Sequence, residues 1–165
     1  MGCFYLSLST PTYNCKLPDA YHQYTTQKGV VEDKVIKNHF ATETMFNRFS
    51  GQKTCGVISE QVSAGVERIA FPLGIIAAIT PVTNPTSTVL YKALLALKTR
   101  NTIVIAPHPS AAKCSSAAAT ILHDAAVAAG APEDCILCID EPSLQLTQDL
   151  MAHNEVNLIL SLIHI

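Results

Sequence analysis

Two proline-bracketed turns carry the polar side chains best suited to contact a ligand. The first is Pro81-Val82-Thr83-Asn84-Pro85 and the second is Pro107-His108-Pro109. Asn84 is the only residue of the first turn with an amide NH₂, a double N–H donor. It can equally act as a turn residue that bonds its own backbone. His108 adds an imidazole to the second turn. The opposing reading is a rigid turn with an exposed histidine. Thiols are the other candidates: Cys3, Cys15, Cys55, Cys114, Cys135 and Cys138. Cys135-Ile136-Leu137-Cys138 matches C-x-x-C, but it reads as one strand, which puts its two sulfurs on opposite faces. No second pair completes a zinc site, so no metal is expected. Most of the cysteines fall within expected helices and strands, which points to unpaired thiols in a reducing, cytoplasmic compartment. A lone His39 beside an apolar stripe reads as a packing residue.

The elements around the turns form a βαβ unit. Residues 75–79 are a short apolar run, as expected of a strand buried on both faces. A helix can start near Thr86 or Ser87, whose hydroxyls can accept from its free N–H groups. Leu90, Ala93, Leu94 and Leu97 make one apolar face. Lys98 and Arg100 suit the negative end of the helix dipole, and Asn101 is a candidate left-handed stop. Lys92, Lys98 and Arg100 together read as a solvated helix face rather than an anion patch. Residues 102–106 form the second strand. Parallel βαβ sheets bind ligands at the carboxyl ends of their strands, and both turns lie at that edge.

The remaining chain extends this unit. Residues 29–49 read as one helix with an apolar stripe of Val31, Val35, Ile36, Phe40, Phe46 and Phe49. Two weak strands, near 55–59 and 66–71, suggest a hairpin around Ser63-Ala64-Gly65. An alanine-rich helix over 110–129 begins at a capping Ser110 and ends at Gly130. A third strand (135–139), a short helix (143–152, with Leu144, Thr147 and Met151 on one face) and a fourth strand (156–160) follow. The fold class is therefore α/β, the first half of a doubly wound, mostly parallel sheet preceded by a helix and a β-hairpin.

Composition sets the limits. The chain has 165 residues, 48% hydrophobic and 15% charged, with a net charge of −2. That length allows one domain with a real core. The charge gives no argument for nucleic acid or an anionic membrane as partner. No uninterrupted apolar run reaches the ~20 residues of a membrane helix. No G-x-G-x-x-G occurs, so the usual dinucleotide fingerprint is absent.

Several strings agree in order and spacing with one family. Pro72-Leu73-Gly74-Ile75-Ile76, Ile79-Thr80-Pro81-Val82-Thr83-Asn84-Pro85-Thr86, Leu97-Lys98-Thr99-Arg100-Asn101 and Pro107-His108-Pro109 resemble the aldehyde dehydrogenase superfamily. Val31-Glu32-Asp33-Lys34-Val35-Ile36-Lys37-Asn38-His39-Phe40 and Lys53-Thr54-Cys55-Gly56-Val57 narrow the resemblance. They are similar to the coenzyme-A-acylating branch, including the aldehyde half of bifunctional aldehyde–alcohol dehydrogenases.

The resemblance implies a reaction. A cysteine thiolate attacks an aldehyde, hydride passes to NAD, and coenzyme A takes the acyl group from the thioester. None of the six cysteines matches the family's nucleophile, so none is assigned and this chain alone is expected to be inactive. An asparagine in the first turn is implied as the donor to the developing oxyanion. Asn84 supplies the amide, although the commoner pattern places its asparagine at the position of Thr83. Ile79, Thr80, Pro81, Val82 and Thr83 match the cofactor cleft beside the nicotinamide. Pro107 and His108 match the strand end near the adenosine ribose. The lysine that many members place before that proline is Ala106 here, which leaves His108 as the candidate ribose donor. The hairpin is implied to help subunits associate into a homo-oligomer.

Residues 1–27 do not resemble the family and are expected to be an atypical N-terminal segment. Residues 28–160 are expected to be a partial NAD-binding domain, and 161–165 a non-native tail on a gene fragment. Two rivals are a stand-alone α/β nucleotide-binding module and a non-catalytic scaffold. Cofactor binding by the chain alone and co-assembly with a complete enzyme would separate them.

Overall fold

A computed structural model describes residues 29–61 and 65–161. The segment 1–27, the hairpin turn residues Ser63 and Ala64, and the tail residues 162–165 lie outside the described residues. The chain opens with helix α1 (Val31–His39), a wide π-helical turn (Phe40–Thr44) and helix α2 (Met45–Ser50). Strands β1 (Gly56–Gln61) and β2 (Val66–Ala70) pair antiparallel, as the hairpin reading expects.

The remainder alternates strand and helix: β3 (Ile75–Thr80), α3 (Pro85–Lys98), β4 (Thr102–Pro107), α4 (Ala112–Ala128), β5 (Ile136–Cys138), α5 (Leu144–Ala152) and β6 (Val156–Leu160). The sheet order is β5-β4-β3-β6 and every pairing is parallel. The chain winds outward from β3 to β5, then crosses back to place β6 on β3's other side. Right-handed crossovers put α3 and α4 on one face and α5 on the other. The reversal lies between β3 and β6, which makes their carboxyl ends the switch point of a doubly wound sheet.

One face of the sheet is fully packed. Ile76, Ala78, Ile103, Ile105 and Ile136 meet Val89 and Ala93 of α3, and Ala118, Ala119, Leu122 and Ala126 of α4. Alanine on α4 lets the two helices and the sheet approach closely. The second face is only partly covered: Ile159 and Leu137 remain exposed on the outer strands. The expectation of strands buried on both faces thus holds for the centre of β3 and fails towards the edges. Gly130 (φ 92°) closes α4 in the left-handed conformation expected of it.

Local expectations were corrected in three places. Helix α3 begins at Pro85 with Asn84 as its N-cap, one residue before Thr86. Pro at the first helical position supplies a preset φ and no orphan N–H. Arg100 (φ 58°), not Asn101, takes the left-handed position. Asn101 is held elsewhere: its Oδ1 accepts from the backbone N–H of Leu73 at 2.6 Å and Gly74 at 2.9 Å. The His108 ring, not Ser110, caps the turn that leads into α4, accepting from the Ser110 N–H at 3.1 Å. Leu144 is exposed at the start of α5, which Ser143 caps through the Leu146 N–H at 3.1 Å.

The first helix shows the largest departure. Its buried residues are Lys34, Asn38 and Ala41, spaced i, i+4, i+7, while Ile36 and Phe40 of the expected stripe are exposed. The wide turn over Phe40–Thr44 breaks the 3.6-residue count, so one stripe cannot run from Val31 to Phe49. This helix packs against the polar entry of α3 rather than against the apolar core.

Candidate functional site

The carboxyl ends of β3 and β6 are joined by a lysine. Lys92 projects from α3 and its Nζ donates to the carbonyl oxygens of Ile79 (2.8 Å) and Leu160 (2.7 Å). It is buried, so the expected solvated face is corrected at this residue. Burial lowers its amine from the ordinary 10.5 to about 8. The alternating periodicity of α3 hid this, because a long apolar stem under a polar head fits either a buried or an exposed site.

The first turn lies beside that bridge. The Asn84 carbonyl accepts from the Thr88 N–H at 3.3 Å, the opening bond of α3. Its side chain makes no cap bond. Instead Oδ1 accepts from Lys34 Nζ at 3.2 Å and from Lys37 Nζ at 2.8 Å. Lys34 Nζ also donates to the Thr83 carbonyl oxygen. Thr86 Oγ1 donates to Asn38 Oδ1 at 3.2 Å, which completes the docking of α1 on the turn. An ammonium has donors and no acceptor, so the atom it faces must be the amide oxygen. The NH₂ of Asn84 is thereby turned the other way, and it has no acceptor among the described residues. The Thr83 side chain is exposed, while Pro81, Val82 and Asn84 are half-buried.

The second turn is adjacent. Thr80 and Pro107 are register partners in β3 and β4, and the His108 N–H donates to the Thr80 carbonyl at 3.2 Å. Both residues are buried, so they shape the edge from below; Ile79 is half-buried and His108 is exposed. Because His108 Nδ1 accepts from Ser110, the neutral ring carries its proton on Nε2, facing outward as a donor. The Oγ1 of Thr80 and the Oγ of Ser115 are buried without a hydrogen-bond partner among the described residues.

A match to the model of the aldehyde dehydrogenase family spans residues 26–161. The chain belongs to the aldehyde dehydrogenase family. It is 54% identical over 133 residues to the bifunctional aldehyde-alcohol dehydrogenase AdhE of Escherichia coli, covering 81% of this chain and 15% of that protein. The chain therefore spans about 15% of the length of this curated relative. An acetylating aldehyde dehydrogenase from Geobacillus thermoglucosidasius superposes with a TM-score of 0.86 at 46% identity, over 88% of this chain and 32% of that one. Rhodopseudomonas palustris propionaldehyde dehydrogenase, solved with bound propionyl-CoA, has a TM-score of 0.72 at 29% identity, over 93% of this chain and 33% of that one.

In this aldehyde dehydrogenase segment the described thiols Cys114 and Cys135 are buried, and Cys55 and Cys138 are half-buried. Cys114 is buried with its Sγ donating to the Ala111 carbonyl, and Cys135 is buried below α4. Cys138 is pushed up to about 12, by burial first and by Asp140 second. Cys55 lines an apolar cavity of about 980 Å³ with Phe46, Phe49 and Leu97, beyond the carboxyl end of α3 and so at the far end from Asn84. Cys135 is buried and Cys138 half-buried, and both belong to the same core cluster rather than to opposite faces of the sheet; no metal-binding cluster occurs among the described residues. No helix among them is long and apolar enough to cross a membrane. Sequence reasoning missed Lys34, Lys37 and Lys92. The i, i+4 polar spacing of Lys34 and Asn38 was the available signal for the first.

Proposed function

We propose that residues 28–160 are the N-terminal part of the NAD-binding domain of a coenzyme-A-acylating aldehyde dehydrogenase. The complete enzyme converts a small aldehyde, acetaldehyde foremost, and coenzyme A to the acyl-CoA. NAD supplies the hydride acceptor when bound. This segment contributes one wall of the cofactor cleft and one donor to the reacting oxygen.

The observation that carries this reading is the Asn84 amide. Its oxygen is held by two ammonium groups and its NH₂ has no acceptor among the described residues, on a half-buried residue beside a topological switch point. A donor fixed before the reaction costs no reorganisation as negative charge develops on the aldehyde oxygen. Asn84 is favoured over Thr83 because the Thr83 side chain is exposed and only its carbonyl is held. Toward a dinucleotide, Ile79, Pro81 and Val82 would offer a half-buried wall, and the exposed His108 an Nε2–H for a ribose hydroxyl. Thr80 and Pro107 hold the two strand ends in register beneath it.

The nucleophilic cysteine belongs to another part of the complete enzyme. We read that enzyme as a cytoplasmic homo-oligomer. The hairpin supports association, since Ile58, Val66 and Ile69 are exposed on it. Homology along the chain to catalytic dehydrogenases weighs against a stand-alone binding module or scaffold.

The test is Asn84→Ala in the complete enzyme. The acylation rate should fall by about 10²–10³, the range for removal of one oxyanion donor, with NAD affinity unchanged. A loss confined to NAD binding would assign Asn84 a structural role instead.

A further inference from the structure

Helix α1 presents two lysines to a single amide oxygen. Lys34 is buried and its stem crosses Gly29, where an added Cβ would lie 2.7 Å from Lys34 Cε. Gly29 also has φ +85°, so the backbone there suits glycine on two counts. Lys34 Nζ reaches both the Thr83 carbonyl and Asn84 Oδ1. Lys37, one turn along the same helix, reaches Asn84 Oδ1 from the solvent side at 2.8 Å. A capping asparagine ordinarily bonds its own helix; here the Asn84 side chain makes no cap bond and its oxygen takes two lysines instead.

We propose that Lys34 and Lys37 are positioning residues that set and polarise the Asn84 amide as a donor. The inference rests on the oxyanion reading of Asn84 given above. Three effects follow from the geometry. The amide cannot flip, because its NH₂ would then face two ammonium groups. It cannot fall back into a helix cap, because its oxygen is already engaged. Electron density drawn towards the oxygen also makes the N–H bonds better donors, as in any hydrogen-bonded chain. Helix α1 therefore couples a segment outside the sheet to the reacting edge.

The test is a set of variants in the complete enzyme, read by single-turnover acylation and by dinucleotide affinity. Lys34→Met with Lys37→Met should slow acylation by about tenfold or more, within the roughly 10²–10³ that loss of the donor itself costs. Dinucleotide affinity should not move. Arginine at both positions should restore most of the rate. In an Asn84→Ala background the same lysine replacements should change the rate no further. Lysine effects that persist in full in that background would overturn the inference, and so would an unchanged rate with Asn84 present. If Asn84→Ala alone leaves acylation intact, the oxyanion reading fails, and this inference with it. Lys37 is exposed, so Lys37→Met keeps the comparison available should Lys34→Met fail to fold.

Discussion

Lys92→Met should remove a specific pH dependence of stability. Lys92 is 5% exposed and bridges the carbonyls of Ile79 and Leu160. Burial lowers its amine from 10.5 to about 8. A neutral amine keeps two N–H donors, one for each carbonyl, so proton loss need not break the bridge. Between pH 8 and 10.5 the unfolded chain holds a proton that the folded chain has released. Stability therefore rises with pH across that window. Below it both states are protonated, and the cost of burying the ammonium is present in full. The separation of the two values, at 1.36 kcal/mol per unit, makes the change roughly 3 kcal/mol. Methionine keeps the apolar stem and has nothing to titrate. Urea unfolding followed by far-UV circular dichroism, stepped through the window for both proteins, gives the difference directly. The other lysines and the tyrosines cancel in that difference. Curves that run parallel from below pH 8 to above 10.5 would refute the argument, because Lys92 would then be solvated or displaced from the strand ends.

Asn101→Ala should destabilise the chain by about 2–4 kcal/mol, since the N–H groups of Leu73 and Gly74 lose their acceptor; an unchanged urea midpoint would show that another group or solvent replaces it. Cys138, with its thiol pushed up to about 12, should stay unlabelled by iodoacetamide at pH 8 in the folded chain and label fully after unfolding; mass spectrometry of the peptide decides, and equal labelling in both states would contradict the burial.

The architecture was legible because local and global signals agree in the βαβ region. Short apolar runs at 75–79 and 102–106, each followed closely by a proline, admit little besides buried parallel strands. Gly130 marked a helix end by a left-handed backbone that glycine adopts without steric cost. The errors fall where a side chain had two acceptable local roles. Thr86 and Ser87 are good caps, yet Pro85 sets the helix start one residue earlier. Asn101 suits a left-handed residue, yet its amide is worth more as the acceptor that ties the entry of β3, and Arg100 takes the strained φ.

The site was legible only in part, for a physical reason. Asn84 and His108 announce themselves by residue type between prolines, but what their polar atoms face is decided by elements distant in sequence. Lys34 and Lys37 lie 50 and 47 residues before Asn84, and Leu160 lies 68 residues after Lys92. Lysine is the residue for which periodicity is least informative, because its stem is apolar and its head reaches a full turn beyond its Cα. A helix whose buried face reads Lys34, Asn38, Ala41 looks like a solvated face until a neighbouring turn supplies acceptors. Here those acceptors are the carbonyl of Thr83 and the amide oxygen of Asn84, the same turn that the sequence singles out for its donor. The feature that makes the turn a candidate site therefore also explains why α1 buries charge against it. A buried, hydrogen-bonded ammonium is stable only where its acceptors are fixed, so the two lysines and the turn hold each other in place.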